Sequence, residues 1–182
     1  MKNETFQQLL KEHRNRIYSH ALYSLRDPDD AADVTQEVFV RLWQQLEDID
    51  PARAGAWLNR VVHNLCIDQS RRRKAQRTHF GTPDTEAADR LVAPRDGHHD
   101  PEKSLHLDQR QAALLEAMET LTPETRSVMV MHYFQGLKLH EIADQLDKTV
   151  SALKVQIHRA RKSLHLVLAA PDTPTGARQE TG

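Results

Sequence analysis

The sequence has one cysteine, six glycines and no long apolar run, and each shortage removes a class of protein. A lone Cys66 cannot staple the fold with an intrachain disulfide, which argues against an oxidising compartment. None of the glycines falls in a GxG or GxxxxGK pattern, so the usual phosphate-cradling loops are not written here. No apolar stretch approaches the roughly 18 residues of a membrane span, and no membrane insertion is expected. The opening MKNETFQQLLKEHRNR lacks the apolar core of a secretory signal. These features together lead us to expect a cytoplasmic protein. Nor is a strand-like alternation sustained anywhere, and no internal repeat is visible.

Catalysis is not expected either. The chain has eleven histidines, but His98, His99 and Asp100 are adjacent in a Pro- and Gly-containing stretch, where no fixed coordination geometry is expected. The acidic run DPDD has a simpler reading as a helix start. No nucleophile, phosphate loop or cysteine–histidine ligand set is present, so no metal and no cofactor is expected.

What is present is segregated charge. The formal net charge is −1 over 182 residues, yet the sign changes along the chain. Residues 53–77 hold seven cations against one anion, and residues 148–182 hold six against two. The intervening and preceding segments are acidic. Cations do gather at helix C-termini, where the dipole favours them. Two separate basic segments in an otherwise acidic protein are better explained as two nucleic-acid footprints.

Apolar residues recur at helical spacing throughout, which predicts an all-α fold of two small helical domains joined by a flexible linker. A first helix covers about residues 3–25, with Phe6, Leu9, Leu10, Ile17, Ala21 and Leu22 on one side. A second starts at Asp27 as N-cap with Pro28 in its first position and runs to about Leu46. Its inner arc reads Val34, Val38, Phe39, Leu42, Trp43 and Leu46. A third spans about Ala54 to Lys74, with Trp57, Leu58, Val61, Val62 and Leu65 inward and Cys66 at the edge as a packing residue. The first unit is expected over 1–78 and the linker over 79–103. A second unit follows over 104–170, and residues 171–182 form a disordered tail. In the second unit Leu107, Leu114, Leu115, Met118 and Leu121 mark one helix. Thr122 and Pro123 start another, with Val128, Met131 and Phe134 inward and Gly136 closing it.

The end of the second unit carries the sharpest pattern. Ile142, Ala143 and Leu146 form a short apolar face, a turn of about three residues follows, and a longer cationic helix begins. There Val150, Leu153, Ile157, Ala160 and Leu164 form the inward stripe. This is a helix-turn-helix, with Asp147 in the turn position often held by glycine. The outer side shows Ser151, Lys154, Val155, His158, Arg159 and Lys162. Cations there suit phosphates or guanine edges, and the exposed Val155 suits a thymine methyl. The third helix shows a similar outer side, with Arg60, His63, Asn64, an exposed Ile67, Ser70 and Arg71, ending in RRRKAQR. The second helix is electrically opposite. Asp33, Gln36, Glu37, Val40 and Gln44 lie outward, a face suited to a protein partner.

Three motifs, in this order, resemble the extracytoplasmic-function (ECF) sigma factors of bacterial RNA polymerase. They are DDAADVTQEVFVRLW, then AWLNRVVHNLCIDQSRRRK, then GLKLHEIADQL with VSALKVQIHRARKSL. The resemblance covers about residues 5–77 and 105–168. It implies a subunit that binds core RNA polymerase and directs it to particular promoter DNA. Asp33, Gln36, Glu37, Val40 and Gln44 would then belong to the polymerase-binding face. Arg53, Arg60, His63, Asn64, Ile67, Asp68, Arg71, Arg72, Arg73 and Lys74 would face the −10 element. The loop Asp48–Gly55 matches the segment that shapes a pocket for an extruded base, and Asn64 the contact to it. Ser151, Lys154, Val155, His158 and Arg159 would read the −35 element, with Arg161 and Lys162 on phosphates. Many relatives are restrained by an anti-sigma factor, so such a partner is expected here. Lys138 departs from the family's smaller cap residue. The alternative is a helix-turn-helix regulator that is no polymerase subunit, but it leaves the acidic face of the second helix without a role.

Overall fold

The computed structural model describes residues 2–80 and 112–169, and every regular element among them is helical. The all-α expectation holds. Helices α1 (Lys2–Leu25), α2 (Pro28–Gln45) and α3 (Ala54–Phe80) form the first module. Helix α4 (112–117) opens the second module and runs into a 3₁₀ turn, Met118–Thr120. Helices α5 (Pro123–Met129), α6 (Leu139–Leu146) and α7 (Val150–Ala169) complete it. Most of the expected linker, Leu107, the His98–Asp100 cluster and the expected tail lie outside the described residues.

The local signals act as read. Asp27 is extended and its carboxylate accepts from the N–H groups of Asp29 and Asp30, both at 2.9 Å, with Pro28 in the first turn. Thr122 Oγ1 accepts from Thr125 N–H at 3.3 Å ahead of Pro123. Glu141 accepts from the Lys138 N–H at 2.7 Å, so the departure at Lys138 still leaves a bonded helix start. Asp147 takes the left-handed conformation (φ 52, ψ 44) that the helix-turn-helix needs. Gly136 takes φ 70 after a π turn, Val130–Phe134, that ends α5.

Each module has its own core. Ile17, Ala21, Val38, Leu42, Leu58 and Val62 are fully buried in the first, as are Met131, Ile142 and Leu153 in the second. Each such large side chain contributes on the order of 1.5–3 kcal/mol through its burial. The modules are in contact, with α3 against α5 and α6 and α1 against α5 and its π turn.

Four expectations about helix bounds and apolar side chains need correction. α3 continues past Lys74 to Phe80, because AQRTHF holds no breaker; within it Thr78 Oγ1 back-bonds the Lys74 carbonyl at 2.9 Å. It therefore takes the first two positions of the expected linker. Trp43 is 43% exposed rather than on the inner arc; its ring reaches over the rim to meet Phe6 edge-on. Phe134 is also partly exposed, its ring stacked on Tyr23 of α1. Ile67, expected outside, is 6% exposed, on the α3 stripe that meets the second module.

Candidate nucleic-acid and protein interfaces

The clearest surface is the outer edge of α7. Leu153, Ile157, Ala160 and Leu164 are buried and fix the rotation of the helix. That rotation leaves Ser151, Lys154, Val155, His158, Arg159, Arg161 and Lys162 exposed, with Val155 at 50%. Thr149 Oγ1 caps the helix through Ala152 N–H at 3.1 Å, so its N-terminal turn, where the reading edge begins, is held firmly. Beside this edge runs a groove of about 690 Å³ between the start of α5 and α7. It is lined by Thr122, Thr125, Ser151, Val155, Gln156 and Arg159. Gln156 donates to Thr125 Oγ1 at 2.9 Å and so ties the two helices together. The sequence reading names Thr122 only as the cap of α5 and does not single out Thr125.

The α2 surface is a second candidate. Asp33, Gln36, Glu37, Val40 and Gln44 are all exposed, as expected. Gln36, Val40 and Gln44 line an open groove of about 670 Å³ with Phe6, Leu10, Tyr18, Phe39 and Trp43. Sequence periodicity missed the aromatic half of this groove. The signal was available: Trp43 falls three positions after Val40 and seven after Gln36, on the same stripe. Glu37 is held by Arg41 at 2.8 Å, and Lys2 sits over the Trp43 ring at 5.3 Å.

The α3 surface divides. Arg53, Asn64, Asp68, Arg72 and Lys74 are exposed. Arg73 is not free: its guanidinium meets the carboxylates of Asp27 at 2.7 Å and Asp30 at 3.0 Å, bracing α3 on the start of α2. Arg60, His63, Ile67 and Arg71 follow one another at spacings of 3, 4 and 4, which is one stripe of the helix, and the second module lies along it. Arg60 pairs with Asp147, His63 Nδ1 meets Ser127 Oγ at 2.7 Å, and Arg71 pairs with Glu124 at 2.7 Å. Ile67 lies between them on this stripe and is buried. His63, expected as a DNA contact, is likewise buried; burial first, then Lys148, pushes its pKa down to about 4 against the weak pull of Glu124. Glu124 is held below the usual carboxylate range by its own backbone N–H and, against burial, by Arg71.

Nothing in these surfaces resembles reaction chemistry. Burial pushes the Cys66 thiol up to about 12, which leaves it protonated and unreactive. Among the described residues no group of three or more His, Cys, Asp or Glu side chains is placed to hold a metal, and no helix is long and apolar enough to cross a membrane.

The two modules match two family models: Sigma-70 region 2 over residues 9–77 and Sigma-70 region 4 over residues 111–164. The chain is 30% identical over 171 residues to the ECF RNA polymerase sigma factor SigE of Mycolicibacterium smegmatis. That match covers 94% of this chain but 64% of SigE, just under two thirds of its length. It is also 30% identical over 167 residues to the ECF RNA polymerase sigma factor SigL of Mycobacterium tuberculosis, covering 88% of this chain and 86% of SigL. In fold it is similar to the sigma factor RpoE of Bartonella quintana, solved with the anti-sigma factor NepR. The TM-score is 0.67 at 19% identity, over 91% of this chain and 98% of RpoE. With regions 2 and 4 falling on the two modules in that order, and SigL matched along most of its length, the chain belongs to the ECF family of RNA polymerase sigma factors.

Proposed function

We propose that this chain is a promoter-specificity subunit that binds core RNA polymerase in the cytoplasm and directs it to its own set of promoters. The observation that carries this reading is the outer edge of α7. It is cationic and exposed, it contains an exposed valine, and it is rotated outward by a helix-turn-helix with a left-handed Asp147 at the turn. In this reading α7 takes the −35 element through Ser151, Lys154, Val155, His158 and Arg159, with Arg161 and Lys162 on phosphates. α3 and the preceding loop take the −10 element through Arg53, Arg60, Asn64, Asp68, Arg71, Arg72 and Lys74. The α2 groove and the exposed Asp33 and Glu37 of the same helix take the polymerase. Residues 1–80 and 104–170 act as the two hands, with the residues between them as the tether. Neither hand alone covers more than a few base pairs; tethering makes the second contact intramolecular. An anti-sigma factor is the restraint to look for, since RpoE is bound by NepR.

The test is reconstituted transcription. Core polymerase with this chain, on fragmented genomic DNA of its own organism, should yield discrete transcript starts that share an upstream element. Starts unchanged by adding the chain would overturn the reading, and would return it to a DNA-binding regulator.

A further inference from the structure

The packing of the modules falls on the side of α3 that the proposed function assigns to DNA. The stripe of Arg60, His63, Ile67 and Arg71 meets Asp147, Ser127 and Glu124 of the second module. The contact extends onto α1. Ser127 Oγ also meets His20 Nε2 at 2.7 Å, and the Gln135 amide donates to His20 Nδ1 at 3.1 Å. That amide fixes the direction of the chain: His20 Nε2–H donates to Ser127, and the Ser127 hydroxyl donates to His63 Nδ1. Around it Arg126 donates to the Ser24 carbonyl at 2.9 Å, Arg26 pairs with Glu119 at 3.1 Å, and Asn59 donates to Gln145 at 3.1 Å. Side chains from α1 and α3 and from α5 and the α6–α7 turn thus close on one another by polar contacts of specific geometry.

We propose that this packing is a self-masked state of the free chain, in which the Asp147 and Glu124 carboxylates hold Arg60 and Arg71 in place of nucleic-acid phosphates. The inference rests on the reading of α3 as DNA-facing. The modules must part before α3 engages DNA. The design is reversible by its chemistry. Arg60, Asp147 and Arg71 are half or more exposed, and exposed ion pairs contribute little each, so a competing polyanion or a partner that prefers the parted form displaces them. The buried Ser127 bridge supplies the register. A closed form favoured about tenfold lowers apparent DNA affinity about tenfold, without any loss of the binding residues.

The full chain is tested in two ways, by small-angle scattering and by anisotropy of a fluorescein-labelled single-stranded 20-mer. The variant is Glu124→Gln with Asp147→Asn, since asparagine keeps the left-handed turn. Glu116→Gln with Asp144→Asn removes the same charge from exposed positions of α4 and α6. The expected result is a compact wild type, a more extended ion-pair variant that binds the 20-mer about tenfold more tightly, and a control within about twofold of wild type. A wild type already extended in scattering overturns the proposal, as does an extended variant with no more affinity than the control. Scattering reads closure without reference to DNA. If Arg60→Ala added to the extended variant leaves its affinity unchanged, it is the DNA assignment of α3 that has failed.

Discussion

Val155, Val40 and Ile67 look alike in the sequence, each a branched apolar residue on an otherwise polar helix face. The structure separates them. Val155 and Val40 remain 50% and 42% exposed, whereas Ile67 is buried, on the α3 stripe whose Arg60, His63 and Arg71 meet the second module. Helical periodicity sees only the helix it is computed on, and α5, which packs against α3, lies more than fifty residues along the chain. Two residue changes follow from what each side chain touches. Arg159→Ala removes an exposed cation from the α7 edge, at a site where a good base contact is worth about 1–3 kcal/mol. Promoter-directed transcription should fall by about tenfold or more while core polymerase is still bound; equal loss of both in a pull-down and run-off assay would count against the α7 assignment. Asp27→Ala should cost about 1–2 kcal/mol in urea unfolding, because it removes the cap of α2 and a partner of Arg73. Asp27→Asn should recover the cap share only. Burial opposes ionisation of Asp27, but the Asp30 and Asp29 N–H groups and Arg73 hold its pKa below the usual value. Its stabilisation is therefore complete above about pH 4 and fades as pH falls through the depressed value.

At the scale of elements, what could be read was whatever has a local cause. The starts of α2 and α5 follow from Asp27–Pro28 and Thr122–Pro123, and the α6–α7 turn from Asp147; each obeys chemistry within four residues. The π turn at Val130–Phe134 has no such signature, and Val, Met and aromatic residues fit an ordinary helix equally well. The α2 groove was half legible. The outward Gln36, Val40 and Gln44 are visible in the sequence, but Trp43 reads as inward because large apolar residues default to the core. The groove gives α2 a mixed character, an apolar floor edged by Gln36 and Gln44 with Asp33 and Glu37 exposed on the same helix, suited to a protein rather than to DNA. Glu37→Lys should therefore reduce association with core polymerase severalfold or more. The change replaces an exposed i,i+4 pair with Arg41 by a like-charge one, about 1 kcal/mol at most, so the helix should stay folded and the loss can be read as binding. A far-ultraviolet spectrum with unchanged helicity, alongside undiminished polymerase binding, would remove α2 from the docking face.

At the scale of the whole molecule, the relative placement of the modules was not legible at all, since no spacing rule links His20, His63 and Ser127 across the chain. It has a consequence that pH reveals. In the closed form both histidines are neutral. Burial first, then His63 and Arg16, push His20 down to about 3, and His63 lies at about 4. Lys148 opposes a second charge near His63, and Glu124 favours it only weakly. When the modules part, both imidazoles meet water and return toward the ordinary value of about 6.5. The parted form then binds protons that the closed form refuses. Closure is fully favoured above about pH 6.5 and weakens as pH falls below it, by up to about tenfold per pH unit for each histidine released. Asp and Glu side chains titrate mostly lower, near pH 4, so the window between 7.5 and 5.5 reports mainly on histidines. His13 is also lowered, by burial and Arg16, but it is packed within the first module and is not part of the contact between the two. Scattering of the full chain should show expansion between pH 7.5 and 5.5 with retained helicity. Paired His20→Gln and His63→Gln keep a hydrogen-bonding side chain without the titration, so this variant should expand far less over the same range. An unchanged pH response in that variant would show that these two histidines do not govern the closure.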